Sequence, residues 1–155
     1  MAAKKKAKKT QSAKRPLKKA KSASGKTLAM SSASPGFTVG DVHKSLGWYR
    51  DVLGFVVGER WEDKGELRGV ELKAGGVSFM IGQDDWKKGR DRKKGEGFRM
   101  YCTTTQDIDA IAAGIKARGG KLDSEPQDQR WGSRDFSLTD PDGFKITIGK
   151  EAKRG

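Results

Sequence analysis

Histidine and cysteine, which often serve as metal ligands or as catalytic groups, are rare in this sequence. The chain has one histidine, His43, and one cysteine, Cys102. A single cysteine cannot form an internal disulfide, and Cys102 lies in the apolar stretch MYCT, so we expect a buried structural thiol. His43 falls in the first turn of a predicted helix and away from its apolar stripe, which favours a solvated residue over a metal ligand or a general base.

The stretch that best predicts a fold lies near the end of the chain. Residues 131–148, WGSRDFSLTDPDGFKITI, alternate aromatic or branched residues with polar ones on both sides of DPDG. Pro141 sets the backbone angle that a turn needs, and Gly143 supplies a positive one. The pattern predicts a β-hairpin.

The elements of the first half follow the order strand, helix and three strands. Residues 37–39 alternate as a short strand, Asp41 is a good helix cap, and apolar residues spaced three or four apart predict a helix over 42–53 that Gly54 ends. The three strands that follow are predicted at 55–61, 68–72 and 77–81.

The second half repeats this order, with Asp107 standing 66 residues after Asp41. The predicted elements are a strand at 98–103, a helix from 108 to 115 that stops at Gly119-Gly120, and strands near 121–122, at 134–139 and at 144–148. Residues 84–97, DDWKKGRDRKKGEG, are predicted to be a mobile connector. The sequence therefore predicts an α+β domain at 33–150, built from two βαβββ repeats (33–83 and 97–150) that form a cupped mixed sheet with room for a ligand.

Two motifs give the chain a resemblance to the vicinal-oxygen-chelate superfamily. FTVGDVHKSLGWYRDVLGF is similar to the superfamily's opening strand, helix and LGF stop, and the hairpin at 131–148 resembles its closing unit. The superfamily includes glyoxalase I, bleomycin-resistance proteins and extradiol dioxygenases, and this chain looks most like the bleomycin-resistance branch. The resemblance covers residues 33–150 and implies the same cup.

The resemblance also implies where a metal would bind. Metal-using members place His, Glu or Gln on four strands of the cup, and the matching positions hold Ser34, Met80, Met100 and Thr147. Hydroxyls and thioethers are poor ligands for the metals of this superfamily, so we expect no metal and no other cofactor. A metal-dependent lyase, isomerase or dioxygenase with ligands at other positions is the alternative.

A cup without a metal is expected to bind an aromatic or amphipathic small molecule. Trp131 matches the tryptophan beside the drug crevice of the bleomycin-resistance branch, and Arg134 either anchors an anionic group or pairs with a surface carboxylate. For the aromatic and methionine candidates, packing in the core is the alternative. The candidate ligand-binding residues are Trp131, Arg134, Phe136, Met80, Met100, Thr38 and Thr147. Since many relatives complete their crevices across two chains, the resemblance also implies a homodimer.

The excess positive charge lies at the beginning of the chain. Residues 1–27 hold 11 of the 33 Lys and Arg and no acid, so the net charge of +13 leaves only +2 for the rest. A nearly neutral domain does not favour a cationic drug such as bleomycin. Small aromatic metabolites and anionic metabolites are equally compatible with its charge. Residues 151–155 form a basic end.

Residues 1–32 are predicted to be a disordered tail and linker, because they have little apolar surface to bury. The tail is either a solubilising extension or a nonspecific binder of nucleic acid and other polyanions, which could tether the domain as a nucleic-acid-associated module. Its cations include Lys4, Lys5, Lys6, Lys8, Lys9, Lys14, Arg15, Lys18, Lys19 and Lys21. The sequence contains no secretory signal and no run of about 20 apolar residues that could span a membrane. We therefore expect a cytoplasmic protein without membrane association.

Overall fold

The computed structural model describes residue 28 and residues 30–150. The predicted basic tail at 1–27 and the basic end at 151–155 lie outside the described residues. The unit that contains the fold begins at Ser32.

The first repeat has the predicted order of elements. Its elements are β1 (Gly36–Val39), α1 (Val42–Gly47), β2 (Val56–Asp63), β3 (Glu66–Ala74) and β4 (Val77–Gln83). The carboxylate of Asp41 caps α1 by accepting the backbone N–H groups of His43 and Lys44, both at 3.0 Å. The helix continues as a wider π-helical segment over Trp48–Leu53, which the sequence pattern did not indicate, and ends at Gly54 with a φ of 84°.

The second repeat has the same order, with one shifted strand. Its elements are β5 (Arg99–Thr103), α2 (Ile108–Ala117), β6 (Ser124–Asp128), β7 (Arg134–Thr139) and β8 (Lys145–Lys150). The strand predicted near 121–122 begins instead at Ser124. Residues 119–122 return the chain from the end of α2 to the sheet, and the first backbone hydrogen bond to β7 is that of Asp123 N–H with Ser137 O at 2.7 Å.

The strand order confirms the α+β fold of two βαβββ repeats. The sheets are ordered β1-β4-β3-β2 and β5-β8-β7-β6. In each sheet the first and last strands of the repeat are parallel neighbours, and the other neighbours are antiparallel. The repeats form two separate four-stranded sheets, and no pair of described strands joins them.

Each sheet has one face toward a helix, the core face, and an opposite open face. The core faces carry the buried residues Val70, Leu72, Phe79, Ile81, Met100, Phe136, Leu138 and Ile146. These side chains belong to a single apolar cluster that includes residues of both repeats. Phe37 of β1 stacks on Phe144, which precedes β8, with ring centroids 4.7 Å apart.

The turn of the predicted hairpin, residues 140–143, docks on the first repeat. The carboxylate of Asp142 accepts the N–H of Gly40 at 2.6 Å and the hydroxyl of Ser45 at 3.0 Å. The hydroxyl of Tyr49 donates to the carboxylate of Asp140 at 2.8 Å. The turn therefore fixes the position of the second repeat against the helix of the first.

No helix in the described part of the chain is both long and apolar enough to cross a membrane.

Candidate functional site

Small residues leave space above the open face of the first sheet. Thr38, Gly82 and Gly69 lie side by side on β1, β4 and β3, and Gly36 pairs with Met80. A Cβ atom added at Gly36 would meet nothing within 4 Å, and one at Gly82 would meet only the carbonyl oxygen of Arg68 at 3.8 Å. Larger side chains at these positions would fill the space above the sheet. Because the residues are small, the face stays open to a ligand.

An aromatic ring forms one wall of this space. Trp61 of β2 pairs with Gly69 of β3, and a Cβ at Gly69 would lie 3.1 Å from the Trp61 ring, so the glycine lets the ring approach the sheet closely. The Trp61 side chain stays exposed, as does Met80 on the same face. With Arg68 at the rim, these groups surround a shallow pocket of about 410 Å³, within the usual size range of small-molecule sites.

The open face of the second sheet is more polar. Tyr101 of β5 pairs with Thr147 of β8, which in turn pairs with Ser137 of β7. Tyr101 is 75% exposed. The guanidinium of Arg99 donates to the Thr147 hydroxyl at 2.8 Å. This face thus presents a phenol ring and a fixed cation.

Of the seven candidate ligand-binding residues, three lie on open faces and two lie on the core face. Thr38 and Met80 lie on the open face of the first sheet, and Thr147 lies on that of the second. Phe136 is 0% exposed and Met100 is buried, because both point to the core face under α2. They pack the core, which was the alternative that the sequence left open.

Arg134 and Trp131 lie away from the pocket on the first sheet. The guanidinium of Arg134 donates to both oxygens of Asp109 at 2.7 and 2.8 Å and to Asp128 at 3.0 Å. These carboxylates raise the pKa of Arg134 above its ordinary value. Trp131 is 69% exposed in the loop before β7.

The metal positions implied by the resemblance do not fit a metal. Ser34 precedes β1, and Met100 faces the core, so the β1 and β5 residues next to Met80 and Thr147 on the open faces are Gly36 and Tyr101. These four side chains include no carboxylate and no imidazole. The carboxylate opposite Met80 on β3, that of Glu71, accepts the Ser78 hydroxyl and pairs with Lys73. Among the described residues, no group of three His, Cys, Asp or Glu side chains could hold a metal ion.

Sequence reasoning missed Trp61, Arg99 and Tyr101. The strand RMYCT alternates, and its apolar Met100 and Cys102 occupy the core face, so this period of two is the signal that places Tyr101 on the open face. Burial raises the pKa of the Cys102 thiol, as is typical of a structural cysteine. His43 is exposed in the first turn of α1, as predicted.

Comparison with known sequences identifies relatives of the chain. Residues 32–148 match a family model described as the Glyoxalase/Bleomycin resistance protein/Dioxygenase superfamily. Bleomycin resistance proteins of Geobacillus stearothermophilus and Staphylococcus aureus are each 27% identical over 129 residues, which cover 77% of this chain and 96% of theirs.

Solved structures share the fold. TioX from Micromonospora sp. ML1 aligns with a TM-score of 0.63 at 20% identity, over 77% of this chain and 98% of its own. TnmS3, described as an antibiotic binding protein from Streptomyces sp. CB03234, aligns with a TM-score of 0.58 at 22% identity, over 81% of this chain and 100% of its own.

Proposed function

Since the chain belongs to the glyoxalase/bleomycin resistance protein/dioxygenase superfamily, we propose that it binds a small aromatic or amphipathic molecule on its open sheet faces without a metal. The observation that carries the proposal is the Trp61 ring beside the space above Gly36 and Gly82. A planar ligand could pack against both the Trp61 ring and the open face of the sheet, and so gain contact area on both. Antibiotic binding by a structural relative supports the same class of function.

Polar groups on the two faces narrow the class of ligand. Arg68 borders the pocket of the first sheet, and Arg99 lies beside Thr147 on the second. Two cations favour an anionic or hydrogen-bond-accepting substituent on the aromatic body of the ligand. The proposed ligand-binding residues are Thr38, Trp61, Met80, Tyr101 and Thr147.

We also propose that the protein is a homodimer in which the open face of one chain completes the crevice of the other. Trp61, Met80 and Tyr101 expose aromatic and apolar surface on faces that no described segment of the chain covers. A second chain laid over these faces would enclose a ligand from both sides and remove that surface from water.

A native mass spectrum of the full chain, compared with its denatured mass, tests the metal and the dimer together. We expect the mass of two chains with no metal. One bound metal per site would contradict the metal-free proposal and favour a metal-dependent enzyme, whereas a monomer would contradict the dimer alone.

Filling the pocket tests the binding site directly. Gly82→Leu places a side chain in the open space above β4, at a position whose φ is ordinary. We expect it to reduce the binding of the amphipathic fluorophore anilinonaphthalene sulfonate by about tenfold, since the ligand loses the floor on which it packs. Gly76→Leu is the matched control, because Gly76 also has free space and an ordinary φ but lies in the β3–β4 turn.

Equal binding by wild type, Gly82→Leu and Gly76→Leu would contradict the placement of the site on the first sheet. The same series with bleomycin asks whether the ligand named for the sequence relatives is also bound here. We expect weak binding of this cationic drug, because cations border the proposed site.

Polyanion binding by the basic tail rests on its sequence alone, because residues 1–27 lie outside the described residues. We propose a nonspecific, strongly salt-dependent affinity for nucleic acid that deletion of these residues abolishes. Retention of that affinity after the deletion would assign it to the domain instead.

A further inference from the structure

The connector at 84–97 forms a second cavity against the hairpin turn. The cavity has a volume of about 710 Å³. One side is bordered by Trp86 and residues 90–99, and the other by residues 141–143 of the turn and by Lys145. This cavity shares no lining residue with the pocket on the first sheet, whereas Arg99 lies between it and the open face of the second sheet. Neither the family match nor the proposed function assigns it a role.

A buried carboxylate holds the connector in place. Asp84, with a side chain that is 4% exposed, accepts the guanidinium of Arg92 at 2.7 Å, the backbone N–H of Trp86 at 2.9 Å and the ammonium of Lys94. Arg92 and Lys94 therefore share one carboxylate, which leaves the cluster with a net positive charge. Charge and glycine alone predicted a mobile segment here, and these contacts were not indicated.

Backbone contacts shape the wall of the cavity. A Cβ at Gly95 would overlap the carbonyl of Gly143 in the hairpin turn, so the two backbones touch. Trp86 has a φ of 59°, a left-handed conformation that is rare for a bulky residue and that persists where surrounding contacts enforce it. The Trp86 ring lies under two cations, with the Arg90 guanidinium 4.9 Å and the Lys94 ammonium 5.0 Å from its centroid.

The lining carries an excess of unpaired positive charge. It includes six Lys and Arg against three carboxylates, and one of those, Asp142, already accepts hydrogen bonds from Gly40 and Ser45. Among the described residues, no carboxylate lies within 4 Å of four of the cations. These four are Arg90, Lys93, Arg99 and Lys145. The other two carboxylates, Asp91 and Glu96, are exposed.

We infer that this cavity binds a small organic phosphate. Four cations without carboxylate partners exceed the charge that one carboxylate would balance, whereas a phosphate or diphosphate group brings two or three negative charges and several acceptor oxygens. The volume of about 710 Å³ is far larger than a free phosphate ion and leaves room for an organic body beside Phe98, an exposed aromatic residue at the edge of the cavity.

Calorimetric titration of the full chain with ADP, at about 0.15 M salt and without divalent metal, tests this inference. Lys93→Gln/Lys145→Gln removes one cation from each wall of the cavity. Lys87→Gln/Lys88→Gln is the matched control, because it removes the same charge at two connector residues that do not line the cavity. Both pairs keep the basic tail, so attraction to the tail is equal in the two proteins.

We expect one ADP per chain, an affinity about tenfold weaker in the lining pair, and less than about a twofold change in the control pair. Lys93→Arg/Lys145→Arg should retain the wild-type affinity, which shows that a loss in the glutamine pair comes from charge and not from misfolding. Gly82→Leu should leave ADP binding unchanged, so this site and the proposed pocket on the first sheet succeed or fail separately.

Three results would overturn the inference. Equal weakening by the two glutamine pairs would show a general attraction to the basic segment. Absence of saturable ADP binding, or inorganic phosphate binding as tightly as ADP, would remove the organic phosphate as the ligand. Short duplex DNA that binds more tightly than ADP and is weakened to the same extent by both glutamine pairs would assign the charge of the domain to nucleic-acid backbone binding.

Discussion

Tyr49 and Asp140 form a buried polar pair that joins the two repeats. Tyr49 is fully buried, and Asp140 is almost so. Burial raises the pKa of the tyrosine hydroxyl, and the neighbouring Asp140 charge raises it further, so the hydroxyl stays a donor. Burial also raises the pKa of Asp140, although the tyrosine hydroxyl and the N–H groups of Asp142 and Phe144 stabilise its charged form.

Removing the tyrosine hydroxyl should therefore destabilise the protein. We expect Tyr49→Phe to lower the free energy of unfolding by about 1.5–3 kcal/mol, because Asp140 loses a donor in a place that water reaches poorly. Denaturant titration measures the change. Tyr101→Phe makes the same chemical change at an exposed residue, and should alter stability by less than about 0.5 kcal/mol. Equal effects of the two substitutions would contradict the buried hydrogen bond.

Asp84 should titrate at an unusually low pH. The hydrogen bonds from Lys94 and from the Trp86 backbone, joined by that from Arg92, lower its pKa from 3.8 to about 2. Because the pKa is lower in the folded than in the unfolded state, the stabilisation is present above pH 3.8 and is lost as the pH falls through 2.

A carboxyl-carbon NMR titration of the folded protein gives this midpoint. Lys94→Gln should raise it, whereas Lys93→Gln, which removes an ammonium that does not contact Asp84, should leave it unchanged. A midpoint near the ordinary aspartate value in wild type would mean that the connector is not anchored through Asp84 in solution.

At the level of elements, two glycines of the connector differ in how closely they approach the hairpin turn. Gly95 has a φ of 68° and Gly97 one of 74°, so alanine at either position is strained by about 1–2 kcal/mol. Only at Gly95 would the new methyl group also overlap the backbone of Gly143, while at Gly97 it would meet nothing within 4 Å.

Gly95→Ala should consequently destabilise the protein by at least about 1 kcal/mol more than Gly97→Ala, since overpacking adds to the shared backbone strain. Thermal and denaturant unfolding of the two variants measure the difference. Identical destabilisation would show that the connector does not rest on the turn, and would remove one wall of the cavity.

The elements were more predictable than the faces that the site uses. The DPDG turn, the two aspartate caps and the glycine stops are local signals, and they located both helices and most strands. Side chains of a strand alternate between its two faces, so an error of one residue places a side chain on the wrong face. The metal-ligand position was assigned to Met100, which faces the core, whereas its neighbour Tyr101 lies on the open face. The pocket beside Trp61 depends on Gly69 of another strand, a pairing that no local pattern specifies.

The connector shows a further limit of sequence reasoning. Its charge and glycine content are typical of a solvated link. The ion pairs on Asp84 and the backbone contact at Gly95 appear only when the hairpin turn of the second repeat is in place. Contacts of this kind come from tertiary packing, and composition does not reveal them.

At the scale of the whole molecule, the two repeats share one apolar cluster and should unfold together. The Phe37–Phe144 stack and the hydrogen bonds of Asp140 and Asp142 span the repeats, so neither repeat keeps its buried surface once the other unfolds. We expect amides of β3 and β7 to show the same free energy of opening in native-state hydrogen exchange. A lower value for one strand would indicate repeats that unfold independently.

The docking of the hairpin turn also bears on how the protein is synthesised. The partner of the Tyr49 hydroxyl lies 91 residues further along the chain, and the partner of the Gly40 N–H lies 102 residues further. At the usual rate of about 5–20 residues per second, a ribosome needs roughly 5–20 s to supply them. During that interval Phe37 of the nascent first repeat lacks Phe144, on which it stacks in the folded protein, and its aromatic surface is uncovered. Chaperones that recognise such surface can therefore bind it until Phe144 emerges.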